Sequence, residues 1–386
     1  MPWIAQQARK GKPIMKKSAL KFFEELCCAP GVAGFEREAV LVTRKYVEKY
    51  CDEVGADKLG SLHFTKKGSK RNPVILLPGH VDEIGFIVAG IHTSGYLKFH
   101  PLGGWAPHCV LGQRVRVFTS KGALPGVVAA KPPHLMTQED RDKLVKIKDM
   151  FIDICCSNEK EAAEMGVKVG DPIVPDSGFT LVEKTVYKDD KKAGKATLAM
   201  CKAFDDRAGL FVAAEVVRRL AEEKIKHPNT VVGAATTMEE VGLRGATTTG
   251  YKIRPDVCLT LDVDIAGDVP GIEKHQAPAG VGSGVAICTY DASMIPNQAL
   301  KDFVIQTAEK EKIPYVLTCV TGGGTDGGIV HKTHEGCPSI YLGVPTRHIH
   351  SHVGILDLAD LDHLVDLVIA LVKKMDAKTV EAFTKV

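Results

Sequence analysis

The sequence has few of the features that mark membrane, disulfide-rich or nucleic-acid-binding proteins. No stretch approaches the roughly 18–20 uninterrupted apolar residues that a membrane-spanning helix needs, so we expect no membrane partner. The cysteines number eleven, an odd count, and none form a CxxC pair. This pattern disfavours a cysteine zinc site and predicts free thiols in a reducing cytoplasm. The net charge is only +3 and the basic residues are scattered, which disfavours a nucleic-acid partner.

Residues 1–17 are basic but contain neither the apolar core nor the cleavage site of a signal peptide. We interpret them as an N-terminal extension. The chain has 386 residues, which is enough for about two domains with complete cores. An apolar content of 45% and a charged content of 25% are typical of an ordinary globular protein.

Apolar runs alternate with amphipathic stretches over most of the chain. Strands are predicted at 74–79, 230–237, 257–263 and 338–345, and helices at 206–224, 297–312 and 357–376. This alternation predicts an α/β fold with a mostly parallel sheet and helices on both faces. Short strands and frequent glycine and proline at 91–190 predict a small β-rich domain there. We expect it to be inserted into one α/β domain formed by residues 1–90 and 191–386.

Five short motifs rich in acids and histidines follow predicted strands. They are GHVD at 79–82, FDDR at 204–207, MEEV at 238–241, LDVD at 261–264 and RHIHSH at 347–352. Because ligands in such sheets bind at the carboxyl ends of the strands, we expect these motifs to converge. Two divalent ions need about five or six imidazole and carboxylate ligands, one of them shared, and a hydrolase also needs a free carboxylate as base. The series therefore predicts a two-metal hydrolase centre.

The first two motifs supply a histidine ligand and a candidate bridging carboxylate. His80 follows an apolar strand, and Asp82 is placed to accept a hydrogen bond from its second ring nitrogen. Asp205 and Asp206 open a predicted helix, where a carboxylate commonly caps the first turn. One of the two can cap while the other binds metal, and we predict Asp205 as the bridge between two ions.

The tandem Glu239-Glu240 ends the strand at 230–237. Two adjacent carboxylates in that position are unfavourable without cations. Since neighbouring side chains diverge, one can bind metal while the other acts on water. The glycine-rich segment TGGGTDGG at 321–328 lacks the lysine of a phosphate-binding loop. We interpret it as a turn that brings backbone close to a substrate.

The last two motifs each offer more acids or histidines than one ligand requires. In LDVD we favour Asp262 over Asp264 as a ligand. The histidines of RHIHSH alternate, so on an extended chain they would share a face. One of the three is expected to be the last metal ligand, and the others could contact substrate or be structural: His348, His350 and His352.

Taken together, these motifs make the sequence similar to the tetrahedral, dinuclear metallo-aminopeptidases, a family that includes glutamyl aminopeptidases. The resemblance extends from PGVAGFE at 30–36 to RHIHSHVGI at 347–355, with GHVDEIGF, KAFDDRAG, MEEVGLRGA, LDVDIAGD and GGGTDGG between them in family order. It implies that Glu239 is the general base and that Asp82 orients His80. It also implies five metal ligands, with the second of them bridging: His80, Asp205, Glu240, Asp262 and His350.

The same resemblance implies an assembly. In this family the inserted domain mediates dimerisation, and the dimers form a hollow tetrahedral dodecamer. The sequence departs from the family pattern in two places. Ala33 stands where serine is frequent, and SHVGILD follows in place of SPxE after His350.

We interpret the chain as a cytoplasmic aminopeptidase that removes the N-terminal residue from short peptides. Zinc or cobalt suits a set of histidine and carboxylate ligands for the two divalent ions per chain. The alternative is a related dinuclear carboxypeptidase or deacylase, which would need an arginine such as Arg207 or Arg347 for a substrate carboxylate. A glycosidase would use two carboxylates without metal, and a non-catalytic assembly protein would be expected to lack a ligand or the base.

Overall fold

The computed structural model describes residues 15–188 and 191–385. Most of the basic N-terminal extension lies outside these ranges. Within them the helices are α1 (Lys17–Cys28), α2 (Arg37–Val47), α3 (Gln138–Arg141), α4 (Glu159–Glu164), α5 (Phe204–Glu222), α6 (Arg244–Ile253), α7 (Gln298–Glu311), α8 (Gly327–Val330), α9 (Leu358–Lys374) and α10 (Ala377–Ala382). No helix among the described residues is long and apolar enough to cross a bilayer.

The strands fall into a large sheet and a small barrel. Those of the sheet are β1 (Glu53–Ala56), β2 (Leu62–Lys67), β3 (Val74–His80), β10 (Thr180–Lys188), β11 (Lys191–Cys201), β12 (Thr230–Thr236), β13 (Val257–Ile265), β14 (Val285–Cys288), β15 (Tyr315–Thr318), β16 (Ser339–Arg347) and β17 (Gly354–Asp357). Those of the barrel are β4 (Gly85–Ile91), β5 (Leu97–Leu102), β6 (Arg114–Thr119), β7 (Gly122–Ala129), β8 (Phe151–Asp153) and β9 (Pro172–Pro175).

The large sheet is mixed, which corrects the expectation of a mostly parallel one. Its strand order is β1-β2-β12-β3-β13-β16-β17-β11-β10, with β14 and β15 attached beside β16. The neighbours β12, β3, β13 and β16 are parallel, whereas β2, β17, β11 and β10 pair antiparallel. Short connections such as those between β1 and β2 or β10 and β11 cannot join parallel strands. The parallel arrangement is therefore limited to the centre, where helices connect the strands.

Helices cover both faces of the sheet, as the sequence predicted. Ile75 and Leu77 of β3 pack in the main core with α1, α2, α5 and α9. Leu76, which points to the opposite face because side chains alternate along a strand, packs with Ala246 of α6 and Val330 of α8. The near-continuous apolar sequence of β3 thus reflects burial on two sides.

The barrel lies between β3 and β10 in the chain and closes in the order β4-β5-β8-β7-β6-β9. It has a core of its own that includes Phe86, Val117 and Ile152. Its strands run from Gly85 to Pro175, whereas β10 and β11 pair in the large sheet. The division into domains at residues 90 and 191 stays a prediction, as does the role of the inserted part in dimerisation.

Candidate active site

His80 is the last residue of β3, and its side chain is 2% exposed. Its Nδ1 lies 3.0 Å from the backbone carbonyl oxygen of Asp82 and 3.5 Å from that residue's Oδ1. With Nδ1–H donating to the carbonyl, Nε2 is the ring nitrogen that faces Asp205 Oδ1, at 3.0 Å. A ring held in this way presents Nε2 as a metal ligand. The orienting role of the Asp82 carboxylate stays a prediction, because the carbonyl makes the shorter contact.

Asp205 and Asp206 begin α5 with non-helical backbone angles. The two carboxylate oxygens of Asp205 lie 3.0 Å from His80 Nε2 and 3.3 Å from His350 Nε2. Asp206 Oδ1 accepts the N–H of Gly209 at 2.8 Å, and its Oδ2 accepts the N–H of His80 at 3.0 Å. Asp206 therefore caps the helix and Asp205 stands between two histidines, while the role of Asp205 as a metal bridge stays a prediction.

The Asp82 carboxylate holds the backbone of the tandem glutamates. It is fully buried, and its two oxygens accept the N–H groups of Glu239 at 3.0 Å and Glu240 at 3.1 Å. The two side chains then diverge. Glu239 Oε2 lies 3.8 Å from His80 Nε2, and Glu240 Oε2 lies 3.8 Å from His350 Nε2. Asp82 thus fixes where both glutamates point.

A second buried carboxylate supports the same turn. Glu36 is 6% exposed, and its Oε1 accepts the N–H of Gly34 at 2.7 Å and that of Met238 at 3.1 Å. Met238 has a φ of 55°, an uncommon conformation for a residue with a side chain. The sequence analysis found the PGVAGFE motif that contains Glu36 but assigned this residue no role. Nothing local in the sequence links it to the glutamates.

The histidines of RHIHSH do not share a face. His348 and His350 have φ values of 59° and 54°. The chain therefore turns at these residues and is not the extended strand on which the three histidines would share a face. His350 Nδ1 lies 2.7 Å from the backbone oxygen of Gly104 in the barrel, which leaves Nε2 to face Asp205. His352 is buried and packs against Trp105, with ring centroids 5.4 Å apart. Only the middle histidine reaches the acidic cluster.

The predicted ligands form two groups that share one residue. Ligand atoms within 4.8 Å of one another occur in the set His80, Asp205 and Asp262 and in the set Asp205, Glu240 and His350. Imidazole and carboxylate donors suit divalent transition metals, and a shared carboxylate suits two ions about 3.5–4 Å apart. In addition, the buried Oε1 of Glu240 has no hydrogen-bond partner among residues 15–188 and 191–385. The residues present therefore fit divalent cations.

The accumulation of buried carboxylates raises their affinity for protons. Burial and the negative charge of Asp205 raise the pKa of Glu240 to about 8. Burial and the charges of Asp326 and Asp262 raise the pKa of Glu239. Burial, with the charge of Asp205, also raises the pKa of Asp262. These shifts arise among protein side chains alone, and a divalent cation would compete with protons for the same oxygens.

A cleft of about 130 Å³ opens onto these side chains. The glycine-rich segment lines one wall through Gly322, Gly323 and Gly324, consistent with the expectation of a turn close to substrate. From this segment Asp326 accepts a hydrogen bond from the hydroxyl of Thr236, while its buried Oδ1 has no partner in the part of the chain that the structure describes. The site thus combines histidine and carboxylate side chains that could bind metal ions, a cleft, and the carboxylate of Glu239, which lines the cleft but belongs to neither ligand group.

A family model described as M42 glutamyl aminopeptidase matches residues 60–367 of the chain. The chain belongs to the M42 peptidase family. It is 32% identical over 355 residues to a glutamyl aminopeptidase of Lactococcus lactis, covering 90% of this chain and 94% of that one. It is also 32% identical over 353 residues to a lysyl aminopeptidase of Pyrococcus furiosus, with the same coverage. These findings confirm a metal-dependent aminopeptidase.

Solved M42-like structures have the same architecture. The TET aminopeptidase from a marine sediment archaeon, Thaumarchaeota archaeon SCGC AB-539-E09, is 51% identical, with a TM-score of 0.89 over 95% of this chain and 99% of that one. The TET1 peptidase of Pyrococcus horikoshii is 27% identical, with a TM-score of 0.79 over 92% of this chain and 100% of that one. That peptidase can assemble into a tetrahedron or a large octahedral shell.

In this M42 peptidase both arginines considered for a substrate carboxylate have other partners. Arg207 is fully buried and donates to the backbone oxygens of Leu26, Ala29 and Gly31. Arg347 forms an ion pair with Asp268. Neither guanidinium lines the cleft. The structure therefore gives no support to the carboxypeptidase alternative.

Proposed function

We propose that this M42 peptidase removes the N-terminal residue from short peptides with two divalent ions held by His80, Asp205, Glu240, Asp262 and His350. The observation that carries the proposal is the position of Asp205. Its two carboxylate oxygens face two different histidines at 3.0 Å and 3.3 Å. A carboxylate shared in this way would bridge two cations. Bound ions would polarise the scissile carbonyl and lower the pKa of a water molecule.

Glu239 is the proposed general base. Its side chain is 10% exposed, it lines the cleft, and it belongs to neither ligand group. It is therefore free to accept a proton from water and to pass it to the leaving amine. Its neighbour Glu240 lies in the second ligand group instead. The two backbone contacts of Asp82 keep these assignments apart by fixing the direction of each side chain.

The metal, the assembly and the compartment form part of the same proposal. Histidine and carboxylate ligands favour zinc or cobalt. The tetrahedral assembly of the Pyrococcus horikoshii relative supports self-association, and we propose a dodecamer built from dimers with residues 91–190 at the dimer contact. All eleven cysteines are free in the structure, which supports a reducing cytoplasm.

Chelation of the purified protein tests the metal requirement. We expect peptidase activity to disappear in a metal-free sample and to return with zinc or cobalt. Peptides with a free amino terminus should be cleaved, and their N-acetylated counterparts should not. Full activity in a verified metal-free sample would contradict the dinuclear mechanism, and preference for the blocked peptides would favour a deacylase.

The tandem glutamates provide a matched pair of variants. Glu239→Gln should keep two metal ions per chain while kcat falls by about 10²–10⁴, the usual contribution of a positioned acid–base group. Glu240→Gln should weaken metal binding at one site, and excess metal should partly restore the rate. Metal content and kcat of both variants show which glutamate acts as the base and which binds metal. Loss of metal from Glu239→Gln alone would mean that the two roles are reversed.

A further inference from the structure

A second hollow adjoins the cleft beside the metal ligands. The first has a volume of about 130 Å³ and the second about 170 Å³. They share the same lining residues at their junction: Asp264, Ile265, Val320 and Gly322. In an aminopeptidase the Cβ atom of the substrate's first residue is two bonds from the scissile carbonyl carbon. A hollow that adjoins the metal ligands is therefore the natural place for that side chain.

Asp264 lies at the junction and has no part in the ligand groups. It follows the ligand Asp262 by two residues on β13, so both side chains point to the same face, about 7 Å apart along the strand. Asp264 is 3% exposed. Its Oδ1 accepts the N–H of Ile265 at 2.7 Å, and its Oδ2 accepts the hydroxyl of Thr318 at 2.6 Å. A carboxylate has about four acceptor sites, so two remain for a ligand.

The surroundings of the hollow are acidic and apolar. Asp291, also 3% exposed, lines the first hollow only, and its Oδ1 already accepts hydrogen bonds from Ser293 and from the N–H of Met294. Neither Asp264 nor Asp291 forms an ion pair within the described part of the chain, and no lysine or arginine of that part lines either hollow. Ile265 and Val320 supply apolar walls. The guanidinium nearest in sequence to the last ligand, that of Arg347, is paired with Asp268.

We propose that Asp264 makes this peptidase select lysine or arginine as the N-terminal residue and reject aspartate and glutamate. This inference rests on the proposed aminopeptidase function. The apolar stem of a lysine or arginine fits the walls while its cationic head reaches the Asp264 carboxylate. An acidic side chain would meet this carboxylate, and no lysine or arginine of the described residues lines either hollow to offset the repulsion. Relatives of this chain include both a glutamyl and a lysyl aminopeptidase. Membership of the family therefore does not fix the preferred residue, and the side chains of this cleft must.

The test measures kcat/KM of the metal-loaded full-length protein on the chromogenic p-nitroanilides of lysine, arginine, leucine and glutamate. We expect the order lysine and arginine, then leucine, then glutamate. The variant Asp264→Asn keeps the size and one acceptor of the side chain but removes its charge. It should lower the lysine-to-leucine ratio of kcat/KM on the order of 10- to 100-fold, mainly through KM, because a charge-assisted hydrogen bond is lost.

Glu335→Gln is the matched control. Glu335 is exposed and lies outside both hollows, so this substitution removes one negative charge from the surface and leaves the cleft unchanged. All four rates should stay as in the parent protein. A parent protein that cleaves leucine but prefers glutamate overturns this inference alone, and so does an equal loss on lysine and leucine in Asp264→Asn. A parent protein inactive on all four substrates overturns the proposed function and this inference together. If Asp264→Asn does not fold, the parent order still decides.

Discussion

Replacement of Asp82 by asparagine isolates the contact that holds the tandem glutamates. The carboxylate is fully buried and accepts the N–H groups of Glu239 at 3.0 Å and Glu240 at 3.1 Å. Asparagine keeps one carbonyl acceptor but turns an N–H donor toward the second backbone N–H. One charge-assisted hydrogen bond, about 1.5–3 kcal/mol, is lost. The observed backbone conformation at Glu239 and Glu240 should then be populated on the order of 10- to 100-fold less.

We expect kcat of Asp82→Asn to fall by about that factor and one metal ion per chain to dissociate more readily. The reason is that both the base and a ligand depend on the same turn. His80 should keep its orientation, because the backbone carbonyl that its Nδ1 contacts at 3.0 Å is unchanged. The measurements are kcat at saturating metal, metal content after dialysis and the free energy of unfolding.

Asp360→Asn provides a matched control far from the cleft. The Asp360 carboxylate is also fully buried and accepts two backbone N–H groups, from Gly282 at 2.7 Å and Gly284 at 2.9 Å. This variant should lose stability without loss of kcat in the folded fraction. The reasoning is refuted if Asp82→Asn behaves like the control, with reduced stability but full kcat and two metal ions.

Three further expectations follow from other parts of the structure. Glu36→Ala should lower kcat about tenfold, since the N–H of Met238 loses its charged acceptor, and Glu36→Gln should restore most of the rate. Asp205→Asn should reduce metal content, measured after dialysis, more than any other ligand variant, because one carboxylate serves both groups. Burial lowers the pKa of His63 to about 4. Relative to an unfolded value near 6.5, the free energy of unfolding should fall by up to about 3 kcal/mol as the pH drops from 6.5 to 4. His63→Gln should flatten this dependence in denaturant titrations.

Each of these has a result that would contradict it. Glu36→Ala with full kcat would show that the turn holds without its second acceptor. Asp205→Asn with two tightly bound ions would remove the bridge. The exposed His134 serves as the control for His63. An equal effect of His134→Gln on the pH dependence, or none from His63→Gln, would assign the acid sensitivity to other groups.

Local pattern was sufficient to predict the central strands and to single out the motifs that line the candidate site. The assignment of single residues as ligands or base came from the family resemblance and stays a prediction. The strands predicted at 230–237, 257–263 and 338–345 correspond to β12, β13 and β16, because buried apolar runs and their flanking turns are properties of short segments. The two ligand groups, each with Asp205, contain all five predicted ligands. Motifs that follow neighbouring parallel strands meet at one sheet edge by geometry. The mixed character of the sheet was missed, since strand partners are chosen between distant segments.

The tertiary structure alone decided what holds these residues in place. Glu36 and Met238 are 202 positions apart, and His350 and Gly104 are 246 positions apart. Hydrogen bonds at such separations leave no periodic or spacing signal in the sequence. Asp262 and Asp264 have the same side-chain chemistry, and the folded structure placed Asp262 in a ligand group and Asp264 beside the second hollow. The sequence by itself determined which ligand chemistry was available. Folding determined which atoms converge, because a shared site depends on contacts between segments that are remote along the chain.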